Sequence, residues 1–235
     1  MRISENQLKK IIRNIILAEG AVTPEQLGDD YVVVVQDSGI VNRPFKSLGR
    51  VDIEQRFSHI DPNTIMRMPS YSLQIRNKIE TSKLAEPAYQ VMAELEMRKW
   101  NGMCNNAWEI YWADVHKDYA GGGFGPLMYD VAMELAGVHG VMCDRNSVSN
   151  DAARVWNYYL SRADVFTDDI DIDNCPSDML SGNDRISINL GEEHPWHQKV
   201  YFSTHYIAGN QKPTLDALNR LGRIEYIGRR YPGEK

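Results

Sequence analysis

The segment from Ala120 to Gly125, AGGGFG, contains four glycines and joins two segments with clear secondary-structure signals. Before it, residues 107–115 (AWEIYWADV) are rich in aromatic and apolar side chains, which predicts a strand. After it, Pro126 is a favourable residue for the first turn of a helix, and we predict a helix over 126–136. The chain must bend sharply between the two, which glycine permits because it lacks a Cβ atom.

A strand, a glycine-rich turn and a helix together can bind an anion. Successive backbone N–H groups converge in such a turn, and the N-terminus of the helix adds a partial positive charge. The same geometry also suits a tight turn that binds nothing, and the glycine count alone favours that simpler interpretation. No Lys-Ser or Lys-Thr follows Gly125 as in a P-loop, and the spacing does not fit the Rossmann pattern GxGxxG.

The rest of the chain predicts a mixed α/β fold. The alternating segment 88–100 pairs with 107–115 in a predicted antiparallel hairpin, and its apolar face carries Val91, Ala93, Leu95 and Met97. We predict that 37–70 is irregular, that strands cover 31–36, 138–143, 185–190 and 199–207, and that helices cover 71–85, 149–162 and 213–222. This order favours one domain over 21–235, with a mostly antiparallel sheet flanked by helices.

Charge and cysteine content exclude several classes of protein. The net charge of −6 argues against a nucleic-acid-coating surface, and there is no apolar run of about 18 residues that would span a membrane. Three separated cysteines without a CxxC motif indicate reduced thiols, and Cys143 is predicted to be a buried, inert one. No metal site is predicted, because 168–174 lacks the glycine and glutamate of a calcium loop and His194 and His197 have no third ligand at suitable spacing.

Two stretches resemble the signature motifs of the GNAT family of N-acetyltransferases. AGGGFG is similar to the pattern Q/R-x-x-G-x-G/A, which in that family follows a strand and precedes a helix. Residues 140–162 (GVMCDRNSVSNDAARVWNYYLSR) resemble the next strand and helix of the family, where an Asn, an Ala and an aromatic residue recur. The resemblance covers 107–162 and implies a GNAT-like fold, acetyl-CoA as cosubstrate, and an amine acceptor on a small molecule or a protein.

The resemblance also implies which residues hold the cofactor. Two neighbouring strands splay apart in that fold, so the exposed edge formed by Ala113, Asp114 and Val115 is expected to pair with the pantetheine arm. The pyrophosphate is expected to lie against the backbone amides of Gly121, Gly122, Gly123, Phe124 and Gly125. Two residues depart from the family pattern: Ala120 replaces the usual Gln or Arg, and Pro126 has no backbone N–H. Both departures lower the expected affinity for the cofactor.

Direct transfer requires a base for the amine and an acid for the departing thiolate. Glu109 stands where the histone-acetylating branch of the family has its glutamate, so it is the expected base, directly or through one water; Asp114 is the alternative. Tyr158 is the expected acid, and Tyr159 and Trp156 are neighbouring aromatic residues on the same predicted helix.

Two other functions stay open. A virion structural or capsid-packaged protein that reuses the fold with little or no catalysis is favoured by the alanine at position 120. A nucleotide-binding regulatory module would use the same glycine run. Glu109 and Tyr158 favour the enzyme.

Residues 1–20 predict a separate amphipathic helix. Ser4 and Gln7 have the spacing of a capping box, and Leu8 begins an apolar stripe that ends before Gly20. The segment resembles the N-terminal leader of tailed-phage proteins, and LAE is similar to the L/I-x-E site of prohead proteases. That resemblance implies cleavage after Glu19, a capsid or other virion protein as partner, and a location in the bacterial host cytoplasm and the virion. The alternative is a terminal helix packed on the domain or on a second copy.

If the leader interpretation is correct, protein taken from virions begins at Gly20. Mass spectrometry of the N-terminal peptide measures this, with protein expressed without a prohead protease as the control. An intact Met1 terminus in virions would contradict it.

Overall fold

The computed structural model describes residues 21–44, 65–79, 88–99, 107–144, 148–170, 204–208 and 211–228. The strands are β1 Tyr31–Pro44, β2 Ile65–Ile79, β3 Ala88–Lys99, β4 Trp108–Val115, β5 Val141–Cys143, β6 Phe166–Asp169, β7 Thr204–Ile207 and β8 Ile224–Ile227. The α-helices within these ranges are α1 Phe124–Ala136, α2 Asn150–Ser161 and α3 Pro213–Arg220, and a 3-10 turn covers Gly137–His139.

The eight strands form one sheet in the order β6-β7-β5-β4-β3-β2-β1-β8. All neighbouring pairs are antiparallel except β4 with β5 and β1 with β8. The predicted class, a mixed α/β fold with a mostly antiparallel sheet, is therefore confirmed. Among the described residues, no helix is long and apolar enough to cross a membrane.

The predicted helix over 71–85 is wrong, because Ile65–Ile79 is a strand. Leu73 and Ile75 are fully buried while the residues between and beside them are partly exposed, which is the period of two of a strand with one covered face. The irregular region predicted over 37–70 is also partly wrong. The first strand continues to Pro44 past a bulge at Gly39, whose N–H donates to the Asp37 carboxylate over 2.8 Å.

The other predicted elements have shifted boundaries. Helix α1 begins at Phe124, two residues before the prediction, and the strand predicted over 138–143 is limited to Val141–Cys143. Of the strand predicted over 199–207, only Thr204–Ile207 is described, and it is a strand. Strands β6 and β8 were not predicted. The predicted strand 185–190 and the predicted helix within 1–20 lie outside the described residues.

The predicted hairpin of β3 and β4 is confirmed, and it contains a bulge in each strand. Ile75 pairs with Ala93 and Arg76 pairs with Val91, so Met92 is an extra residue in β3. Val91 is consequently 38% exposed, and its predicted place on the buried face is wrong, whereas Ala93, Leu95 and Met97 are buried as predicted. In β4 the extra residue is Tyr111, between the pairs formed by Ile110 and Trp112.

Helix α1 covers one face of the sheet. It contacts β2, β3 and β4, and its side chains join those of the sheet in one hydrophobic cluster that includes Leu73, Leu95, Met97, Leu127 and Val131. At an order of 1.5–3 kcal/mol per fully buried large apolar side chain, this cluster is the main favourable term for the fold.

A buried carboxylate joins α1 to α3. Both oxygens of Glu134, which is 3% exposed, accept backbone hydrogen bonds at the start of α3, from Thr214 N at 2.9 Å and Leu215 N at 2.7 Å. These amides have no acceptor within their own helix, so Glu134 acts as the N-terminal cap of α3 from another helix. Burial raises the pKa of the Glu134 carboxyl, and the two amide donors oppose that rise.

Glu134→Gln should lower the free energy of unfolding by about 1–3 kcal/mol, because the amide nitrogen that replaces one oxygen cannot accept a hydrogen bond. Urea denaturation measures the change. The matched control is Asp216→Asn, the same charge change on the exposed side of α3, where we expect less than about 1 kcal/mol. Equal losses in the two variants would contradict the capping role.

Candidate functional site

Strands β4 and β5 separate after a short parallel contact. They pair only from Trp108 with Val141 to Ile110 with Cys143, while β4 continues to Val115. On its other side, β4 stays paired with β3 as far as Val115. Within the described part of the chain, the last five residues of β4 therefore have a strand on one side only, and their backbone groups on the other side face a cleft.

The glycine run forms the turn between β4 and α1. Gly121 has a φ of 85° and Gly123 a φ of 77°, which is the left-handed region that favours glycine. Gly122 is required for a different reason, since a Cβ atom there would lie 2.9 Å from the Phe124 ring and 3.1 Å from the Tyr119 carbonyl oxygen. The sequence therefore uses glycine at three successive positions on steric grounds.

Several amides of this turn are available to a ligand. Gly122 N–H donates to the Tyr119 carbonyl over 3.1 Å and so belongs to the turn itself. Within the described residues, no acceptor is found for the N–H groups of Gly121, Gly123, Phe124 and Gly125. The last three of these lie at the N-terminus of α1, where the helix dipole favours negative charge.

A cleft of about 280 Å³ brings these parts together. The edge of β4 forms one wall through Ala113, Asp114 and Val115, and the glycine turn with the start of α1 forms the floor. The opposite wall is α2, which contributes Arg154 and Tyr158. A second cavity of about 160 Å³ shares lining residues with the first, including Ala113, and extends towards Ile110 and Trp156 between the separating strands.

The predicted cofactor residues are mostly brought together by this geometry. Seven of them line the cleft: Ala113, Asp114, Val115, Gly121, Gly123, Phe124 and Gly125. Gly122 is next to the cleft but does not line it. Ala120 and Pro126, the two departures from the family pattern, also line it.

Helix α2 places its two tyrosines in different environments. The helix begins after Ser149, whose hydroxyl accepts the Ala152 N–H over 3.1 Å. Tyr158 is half-buried and lines the cleft. Tyr159 is fully buried, and burial raises its pKa. Its hydroxyl lies 2.7 Å from the Pro126 carbonyl oxygen and 3.0 Å from Asp130 Oδ1.

An ion-pair network surrounds the Tyr159 hydroxyl. Arg162, the first residue after α2, pairs with Asp130 of α1 and with Asp164. Burial raises the pKa of the Asp130 carboxyl against the opposing effect of Arg162. The hydrogen bond from Arg162 lowers the pKa of Asp164, which is more exposed.

Glu109 does not line the cleft, and its side chain is buried beside β3. It is fully buried, and its Oε2 accepts a hydrogen bond from Arg98 Nε on β3 over 2.7 Å. It lines neither of the two cavities described above. Its predicted role as the base stays a prediction, and the structure shows it in a buried ion pair.

Sequence reasoning did not single out three charged residues of the cleft. Glu94 on β3 lines it beside its cross-strand partner Asp114, and Asp151 lines it from α2 together with Arg154. Arg154 and Asp151 form an ion pair of 2.8 Å on the exposed side of α2. The helix was predicted, but its orientation was not, since that depends on the tertiary packing of α2. No group of three or more metal-ligating side chains occurs within the described ranges.

Glu109→Gln should lower the free energy of unfolding by about 3–5 kcal/mol, because Arg98 would remain buried beside a neutral partner. Urea denaturation measures this. Glu96→Gln makes the same charge change at a half-buried position on the adjacent strand and should cost less than about 1 kcal/mol. A Glu109→Gln protein with the wild-type unfolding midpoint would show that the ion pair is not structural and would favour the role as a base.

Among the described residues, the site thus combines a strand edge at 113–115 with no neighbour on the β5 side, a turn whose amides have no acceptor, and a half-buried tyrosine. Comparison of the chain with protein-family models, with curated proteins and with solved structures gives no significant match.

Proposed function

We propose that the protein transfers an acetyl group from acetyl-CoA to an amine. The observation that carries the proposal is the cleft itself: residues 113–115 of β4, which have no described strand on the β5 side, line the same cleft as Gly121, Gly123, Phe124 and Gly125, whose amides have no acceptor among the described residues. A linear ligand with an amide-bearing arm and a pyrophosphate needs both features. The resemblance of 107–162 to the GNAT motifs supports the same assignment.

The arm and the phosphates of the cofactor would occupy different walls. Peptide-like groups of the pantetheine arm would add to the sheet along Ala113–Val115, as an extended peptide adds to a sheet edge. The pyrophosphate would accept hydrogen bonds from the turn amides at the N-terminus of α1. Arg154 from α2 lines the same cleft and would supply a positive charge that the alanine at position 120 lacks, by turning from its exposed ion pair with Asp151 to the phosphates.

The reaction would proceed by direct attack. The amine nitrogen attacks the thioester carbonyl carbon, a new C–N bond forms, and the C–S bond breaks. A base takes the proton of the amine, and the sulfur leaves with a proton supplied by an acid.

Tyr158 would be the acid because it lines the cleft on the wall opposite β4. Of the two predicted bases, Asp114 lines the cleft. Glu109 does not line it and would have to act through groups that lie between its carboxylate and the cleft.

The charges of the cleft favour a cationic acceptor. Glu94 and Asp114 lie side by side on β3 and β4, and the exposed Trp112 donates its indole N–H to Glu94 Oε1 over 3.3 Å. Carboxylates and an aromatic face both attract an alkylammonium group. An amine bound here would lie beside the last residues of β4, where the thioester is expected.

A second candidate is a binding protein of the same fold with little or no catalysis, including a capsid-packaged one. The burial of Glu109 against Arg98 favours it, because this removes one of the two expected bases from the cleft. The two candidates share the cofactor site and differ in turnover.

Wild-type protein should bind acetyl-CoA with a Kd between about 1 μM and 1 mM, the range typical of enzyme substrates. Isothermal titration calorimetry measures it. Gly123→Asp should abolish the binding, because it places a negative side chain at the expected phosphate position. No binding at millimolar acetyl-CoA would rule out the enzyme and leave a virion structural or capsid-packaged protein of the same fold.

Gly137→Asp is the matched control for this experiment. Gly137 follows the other end of α1 and has open space around its Cβ position. Its φ of 60° and ψ of −133° are less accessible to L-residues than the left-handed conformation of Gly123, so the substitution brings at least as much backbone strain and the same charge away from the cleft. It should leave the Kd unchanged. Equal loss of binding in both variants would mean that strain, and not contact with the phosphates, explains the effect.

A further inference from the structure

Two walls of the cleft are joined by one buried hydroxyl. Pro126 follows the glycine turn directly, and Tyr159 is the next residue after Tyr158 on the opposite wall. The Tyr159 hydroxyl lies 2.7 Å from the Pro126 carbonyl oxygen, which is an ordinary distance for an O–H···O hydrogen bond. The contact therefore connects the backbone of the phosphate side of the cleft with the backbone that carries Tyr158.

The surroundings of this hydroxyl hold it in place. Asp130, one helical turn after Pro126, offers a second acceptor at 3.0 Å, and its carboxylate is fixed by Arg162 Nη1. The Tyr159 ring lies in the aromatic cluster of the core, 6.1 Å from the Tyr129 ring and 6.4 Å from the Tyr206 ring. The phenol cannot move without disturbing a packed ring and a partly buried ion pair, which restrains the connection.

We propose that Tyr159 is a positioning residue whose hydroxyl, oriented by Asp130 and Arg162, sets the separation between the glycine turn and Tyr158. A ligand that is held by its phosphates at the turn reaches Tyr158 with its sulfur only if this separation is correct. A misplacement of about 1 Å at a reacting centre can reduce a rate a hundredfold. The ligand is taken from the proposed function, whereas the contact itself is independent of it.

Tyr159→Phe removes only the hydroxyl and keeps the packed ring. We expect it to weaken acetyl-CoA binding roughly three- to tenfold, the equivalent of one hydrogen bond. Its effect should also be non-additive with Tyr158→Phe: the loss that Tyr158→Phe causes in the wild type should largely disappear in the Tyr159→Phe background. Calorimetric titration of the four proteins measures both quantities.

Glu134→Gln is the control, since it changes a buried residue of the same helix α1 and weakens its contact with α3 without touching the cleft, and its Kd should stay within about twofold of the wild type. A Tyr159→Phe protein with wild-type affinity, or effects of the two tyrosine changes that multiply, would overturn the proposal. If Tyr159→Phe does not fold, Asp130→Asn replaces it: this change removes the ion pair and should weaken binding in the same direction.

Hydrogen–deuterium exchange of the protein without ligand tests the role of Tyr159 independently of the proposed acetyltransferase function. Tyr159→Phe should raise exchange in the peptides that cover 119–129 and 150–161, whereas Glu134→Gln should raise it near α3 and leave 119–126 unchanged. Wild-type protein that fails to bind acetyl-CoA would remove the proposed function, and the exchange result would still decide whether Tyr159 connects the two walls. Unchanged exchange in Tyr159→Phe would reject the connection.

Discussion

The unequal pairing of β4 with its two neighbouring strands shapes the cleft at the proposed functional site. Its hydrogen bonds to β3 extend to Val115, but its parallel pairing with β5 ends at Ile110. A sheet that remained fully paired here would have no opening between its strands. Because the described pairing with β5 ends there, the end of β4 lines a gap together with the start of α1 and with α2, and the backbone of such an edge can pair with an amide-bearing ligand regardless of side-chain identity.

Buried polar contacts hold the helices that flank this gap. Glu134 joins α1 to α3, and the network of Tyr159, Asp130 and Arg162 joins α1 to α2. Apolar packing alone tolerates small shifts of one helix against another, whereas a hydrogen bond between fixed atoms is lost over a fraction of an ångström. The hydrophobic cluster therefore accounts for most of the stability, and these few contacts account for the positions of the helices.

The sequence was sufficient for the local features around the site. The strand before the glycine run, the helix after it and the helix over 149–162 follow from patterns within a few residues, and each is observed with small shifts of its ends. The segment 71–85 was predicted as a helix although Leu73 and Ile75 alternate with polar residues, a signal of period two that was available. The bulge at Met92 and the capping of α3 by Glu134 depend on neighbours from distant parts of the chain, so no local pattern could reveal them. The same holds for the burial of Glu109, which is set by Arg98 across the hairpin.

The pairing of β8 with β1 bears on how this chain is made. Before β8 arrives, one side of the 14-residue strand β1 has no described partner. The contacts beside β8 join residues that are far apart in sequence. The guanidinium of Arg223 donates to the carbonyl oxygens of Pro24 and Leu27, and Arg223 and Leu27 are separated by 196 positions. Contacts of such separation form late and slowly. During synthesis, the β1 edge from Val33 to Gln36 therefore lacks its described partner until Ile224–Ile227 has left the ribosome, and chaperone binding at that stage would protect the nascent protein from aggregation.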